Sequence, residues 1–126
     1  MHNAAQAYGQ VTRQTASPRD LEADLLLKAA AKLQAVCDDE SRQGDLHDAL
    51  TYNRRLWTLL VSSATRPENP LPQAIKNNIA NIALFVFNRT MAIQADRAAN
   101  TVAPLININR QIAAGLRERA AMVAAE

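Results

Sequence analysis

The run Ser17-Pro18-Arg19-Asp20-Leu21-Glu22-Ala23-Asp24-Leu25-Leu26-Leu27-Lys28-Ala29-Ala30-Ala31-Lys32-Leu33-Gln34-Ala35-Val36-Cys37-Asp38-Asp39 decides the fold class. Ser17 is placed to cap a helix, Pro18 suits the first helical position, and Asp20 stands where a capping-box acid reaches back to the cap N–H. No breaker follows for some twenty residues. At 100° per residue, Leu25, Leu26, Ala29, Leu33 and Val36 fall on one stripe, which predicts a helix buried along that face. The acids Asp38, Asp39 and Glu40 crowd its C-terminal end, where the helix dipole disfavours them, so the helix is expected to stop there.

The same periodicity continues outward. Gly44-Asp45 restarts the chain, and residues 45–64 align Leu46, Ala49, Leu50, Trp57, Leu60, Val61 and Ala64, with Tyr52, Leu56 and Leu59 as a second strip beside them. In Arg66-Pro67-Glu68-Asn69-Pro70-Leu71-Pro72, three prolines force an extended connector. A third helix over 73–98 lines up Ile75, Ile79, Ile82, Val86 and Ile93, while Leu84, Phe87 and Met91 lie nearly opposite. The last helix is expected to open near Pro104 with Leu105, Ile108, Ile112, Leu116 and Val123 on its stripe. Leu105-Ile106-Asn107-Ile108-Asn109 also reads as a short strand, but the 3.6-residue period running on beyond it favours helix. A short helix over 2–14, carrying Ala4, Tyr8 and Val11, is the weakest of the five.

Composition agrees with the pattern. Among 126 residues there are 25 Ala against 3 Gly, 5 Pro and 5 aromatics, a balance that disfavours sandwiches and barrels. The expectation is an all-α fold, a single small bundle of four to five helices spanning residues 1–126 as one domain. Cys37 is the only cysteine, so no intrachain disulfide exists. The net charge is +2, with 7 basic and 8 acidic residues over 1–65 and 7 and 4 over 66–126. That is less excess positive charge than a duplex-binding domain concentrates. Met1-His2-Asn3-Ala4 has neither the basic head nor the apolar stretch of a signal peptide, and no apolar run approaches the roughly 20 residues of a membrane span. A cytoplasmic location is expected.

Catalytic chemistry finds little to work with. His2 and His47 are the only histidines and, with one distant Cys, match no zinc spacing. The acids from Asp38 to Asp48 have the wrong residues, Arg42 and Gln43, at the positions a calcium loop needs. Gly9, Gly44 and Gly115 are too scattered for a phosphate loop. Asn88-Arg89-Thr90 matches a glycosylation sequon only by its letters, mid-helix. No enzyme, metal or cofactor is expected.

The informative feature is apolar surface in excess on the two middle helices. An ordinary surface helix carries one apolar stripe about 100° wide; these carry more. One reading buries the extra stripe inside the bundle, and the other leaves a groove for a partner's amphipathic helix. Trp57 faces the same choice, with core favoured. Asparagines at Asn53, Asn77, Asn78, Asn81, Asn107 and Asn109 are poor interior helix formers, which suggests hydrogen bonding between helices or to a partner, against capping or simple exposure. Arg54-Arg55 and Arg89 could contact RNA, but they lack interleaved aromatic platforms.

Several runs together resemble the FlaF family of flagellar biosynthesis regulators: Ser17-Pro18-Arg19-Asp20-Leu21-Glu22-Ala23, Ala49-Leu50-Thr51-Tyr52-Asn53-Arg54-Arg55-Leu56-Trp57, Asn69-Pro70-Leu71-Pro72, Ile79-Ala80-Asn81-Ile82, Phe85-Val86-Phe87 and Leu105-Ile106-Asn107-Ile108-Asn109-Arg110-Gln111-Ile112-Ala113-Ala114-Gly115-Leu116. The resemblance runs from about Ala7 to Leu116. It implies a small cytoplasmic protein needed for flagellin production and export, one that binds new flagellin as a secretion chaperone and is coupled to FlbT, a post-transcriptional regulator of flagellin message. It brings no catalytic residues. Within that frame Tyr52, Leu56, Leu59, Leu84, Phe87 and Met91 are the expected apolar anchors for flagellin's amphipathic terminal helices, with Asn77 and Asn81 fixing register. An RNA-binding or FlbT-associated regulator of flagellin mRNA translation is the alternative.

Overall fold

The computed structural model describes residues 18–96 and 101–125, with side chains to 119. Helix α1 spans Pro18–Asp38, α2 Leu46–Ala64, α3 Gln73–Ala95 and α4 Ala103–Ala125, with a 3-10 turn, Glu40–Asp45, between α1 and α2. The described residues form an all-α bundle, and residues 105–109 are helical. The helix expected over 2–14 and the Ser17 cap lie outside the described residues.

Each helix ends for a local reason. Asp39 accepts hydrogen bonds from Ser41 N at 3.0 Å and Ser41 Oγ at 2.6 Å, which starts the 3-10 turn as α1 stops. Those two donors hold the Asp39 carboxyl below the usual carboxylate range. Beyond α2, Asn69 accepts from Leu71 N at 3.0 Å and donates from Nδ2 to Ser63 O at 3.1 Å, pinning the proline-rich connector to the helix it leaves. Pro72 then sits extended as the N-cap of α3, and its carbonyl accepts from Ile75 N and Lys76 N. Buried Lys76 reaches back and donates from Nζ to Arg66 O at 2.7 Å. This charged clamp was invisible to the apolar pattern. Lys76→Met is expected to lower the unfolding free energy by about 1 kcal/mol in urea denaturation, because the charge-assisted bond to Arg66 O is lost while Asn69 N still donates to that carbonyl. An unchanged midpoint would mean that the clamp contributes nothing.

The longest seam joins α1 to α4, while α2 packs against both α1 and α3. From α1, Ala23, Leu26, Ala29, Ala30, Leu33 and Val36 are buried, and α4 meets them with Leu105, Ile106 and Ala113. The small alanines let the two backbones approach closely, and Leu26 and Leu33 fill the remainder at 0% exposure. Leu25 was expected on this face and is instead 43% exposed. It lies about 100° round the helix from Leu26, beyond the arc that α4 covers. Arg117 and Asp24 form an ion pair across the outside of the seam. Both side chains are about half exposed, so the pair is worth at most about 1 kcal/mol.

At the meeting of α1, α2 and α4 the core turns polar. Trp57 Nε1 donates to Asn109 Oδ1 at 2.9 Å, and Asn109 Nδ2 donates to Asn53 Oδ1 at 2.6 Å and to Leu26 O at 3.4 Å. Asn53 and Asn109 are fully buried, and Asn53 Nδ2 has no hydrogen-bond partner among the described residues. Of the asparagines singled out in the sequence, these two therefore bond between helices, whereas Asn77, Asn78, Asn81 and Asn107 are exposed. Trp57 is core, 1% exposed.

Candidate functional site

The side chains that would meet a partner are those the bundle leaves uncovered: Leu21, Leu25, Leu59, Leu84, Phe85 and Met91. Those on α2 and α3 arise because the apolar arc of each middle helix is wider than the neighbours that pack on it. On α2, Leu59 projects at 71% exposure, next to a groove of about 670 Å3 between α1 and α2. Its walls come from Leu25 and Lys32 of α1, Arg42 and Asp45 of the turn, and Asp48, Tyr52, Arg55, Leu56 and Leu59 of α2. Tyr52 is half-buried, and its ring lies 5.1 Å from Lys32 Nζ and 5.9 Å from Lys28 Nζ. Two ammonium groups over one ring fix it in place and make that wall basic. Arg42 and Asp45 pair at 3.1 Å along the rim.

The expected anchors divide between two surfaces. Tyr52, Leu56 and Leu59 all line the groove, but Leu56 is only 7% exposed and forms its floor, with most of its side chain in the core. Leu84 and Met91, each 59% exposed, belong to α3 and lie outside that groove, so the reading that buries this stripe fails for them. Phe87 is half-buried and packs on the core. Asn77 accepts from Gln73 Nε2 at 2.9 Å, one turn back on its own helix, and Asn81 is exposed.

Phe85 was missed as an anchor. It is 42% exposed beside Leu84, and the Arg89 guanidinium lies 5.5 Å from its ring centroid. Its place one turn before Arg89 is the signal that could have found it. On the thiol side, Cys37 is solvent-exposed, yet partial desolvation and then the neighbouring Asp38 carboxylate push its thiol up, which disfavours the reactive thiolate. No described helix is long and apolar enough to cross a membrane.

Fold and surface together define a small helical bundle whose available chemistry is apolar contact rimmed by mixed charge. The profile of the flagellar protein family FlaF matches residues 4–116 of the 126. The chain belongs to the FlaF family of flagellar proteins. No curated protein and no solved structure matches it.

Proposed function

We propose that the protein is a cytoplasmic flagellin-binding secretion chaperone, which couples flagellin supply to its synthesis, through FlbT, and hands its client to the flagellar export apparatus. The observation that carries this reading is the set of large apolar side chains left outside the buried core: Leu59 at the α1–α2 groove, and Leu84, Phe85 and Met91 on α3. Flagellin's terminal segments resemble amphipathic helices that await filament partners, and such helices dock by laying an apolar stripe into a groove or against an apolar face. Tyr52 supplies a rigid aromatic contact, while the charged rim keeps the empty groove soluble.

The test is capture of purified flagellin by the wild-type protein and by Leu59→Asp and Leu84→Asp variants, with unfolding midpoints measured alongside. Both sites are exposed, so stability is expected to stay within about 0.5 kcal/mol. Affinity should fall at least roughly tenfold, about 1.4 kcal/mol. Wild-type affinity in both variants would overturn the anchor assignment. A salt titration separates the RNA reading, which Arg54 and Arg55 would serve from their exposed positions. Phosphate contacts weaken steeply as salt rises, whereas apolar capture changes little.

A further inference from the structure

Helices α3 and α4 follow one another in the chain but make little direct contact. Between them runs an apolar slot of about 250 Å3, separate from the α1–α2 groove. Trp57 and Leu60 of α2 floor it, Ile75 and Ile79 of α3 form one wall, and Ile112 and Leu116 of α4 form the other. All but Trp57 are only half-buried, so each would gain by being covered.

We propose that this slot is the docking site of the chain's own N-terminal segment, with Ala4, Tyr8 and Val11 seated in it as the fifth member of the bundle. Three observations favour this occupant over a second copy or an external partner. First, Arg19 and Glu22 of α1 stand at the slot, so the seventeen residues that precede Pro18 leave from its mouth. The seven residues from Val11 to Pro18 can span up to about 23 Å, enough to reach any part of it. Second, Ala4, Tyr8 and Val11 recur at helical spacing and would present one apolar stripe to an apolar slot. The family match begins at residue 4, so this segment belongs to the matched region, which ends at Leu116 on the slot's far wall. Third, Gly115 lines the slot in mid-helix, where glycine is unfavourable relative to alanine. A Cβ built on Gly115 meets nothing within 4 Å among the described residues. A bare backbone facing open space suits the close approach of a further chain segment.

The experiment uses the full chain. In a Cys37→Ser background, Ala7→Cys with Arg119→Cys, which lines the slot and is exposed, is treated with a short bismaleimide, and Ala7→Cys with Arg54→Cys, exposed on α2 outside the slot, serves as the reference. An intramolecular cross-link at least tenfold faster for the Arg119 pair is the expected result. Equal rates, no cross-link, or cross-links only between two chains would each overturn the proposal. Independently, Tyr8→Asp in the otherwise native chain is expected to speed hydrogen exchange of the amides over 75–79 and 112–116 at least tenfold. Amides over 26–33 in the α1–α4 seam should keep their protection. Unchanged exchange around the slot would overturn the docking as surely as a failed cross-link. Neither readout involves flagellin, so the outcome is independent of the chaperone reading.

Discussion

Asn109→Ala is expected to destabilise the protein by about 3 kcal/mol. The substitution leaves the buried Trp57 N–H without an acceptor and the buried Asn53 Oδ1 without a donor, and each orphaned group costs about 1–3 kcal/mol. The single tryptophan reports the transition by its own fluorescence in urea. Trp57→Phe in the Asn109→Ala background is the informative partner, because it removes the donor that the first change stranded. Its added cost should therefore be smaller than the cost of Trp57→Phe alone. If the two changes simply add, the hydrogen bond is not what couples them.

Leu33→Ala has a comparably large expected effect, about 2–5 kcal/mol. Leu33 is fully buried in the α1–α4 seam, so truncation removes its transfer energy and leaves a cavity that neighbouring alanines are too short to fill. Leu25→Ala, two turns earlier on the same helix, should cost less than about 1 kcal/mol because the side chain is 43% exposed. Thermal or chemical unfolding of the pair decides the geometry: comparable losses would mean that Leu25 is buried against something in solution.

That contrast also shows where the sequence was readable. Periodicity placed α1 at its observed bounds to within a residue at the C-terminal end and distinguished helix from strand over 105–109, because both depend on neighbours three and four positions apart. It also flagged Asn53 as a poor interior helix former suited to hydrogen bonding between helices or to a partner. It could not say that Asn53 is held by a residue 56 positions away, since nothing local encodes that pairing. Nor could it place Leu25, whose angle puts it on the edge of the stripe, where the width of the opposing helix decides. Lys76 was unreadable for a related reason: its burial follows from the path of the proline connector, not from its own helix. At the candidate site, the second strip of α2 and the opposed strip of α3 were visible as surplus. Their division between a groove and a separate α3 face was not, because periodicity orders residues around one axis and is silent on how two axes are set.

The alanines of the α1–α4 seam have a consequence for the whole molecule. Ala23, Ala29, Ala30 and Ala113 have no rotamers to freeze, so this seam closes with little entropic penalty and in little space. Where the alanines lie, the two backbones leave no space for a larger side chain, and enlarging one of them should pry the helices apart.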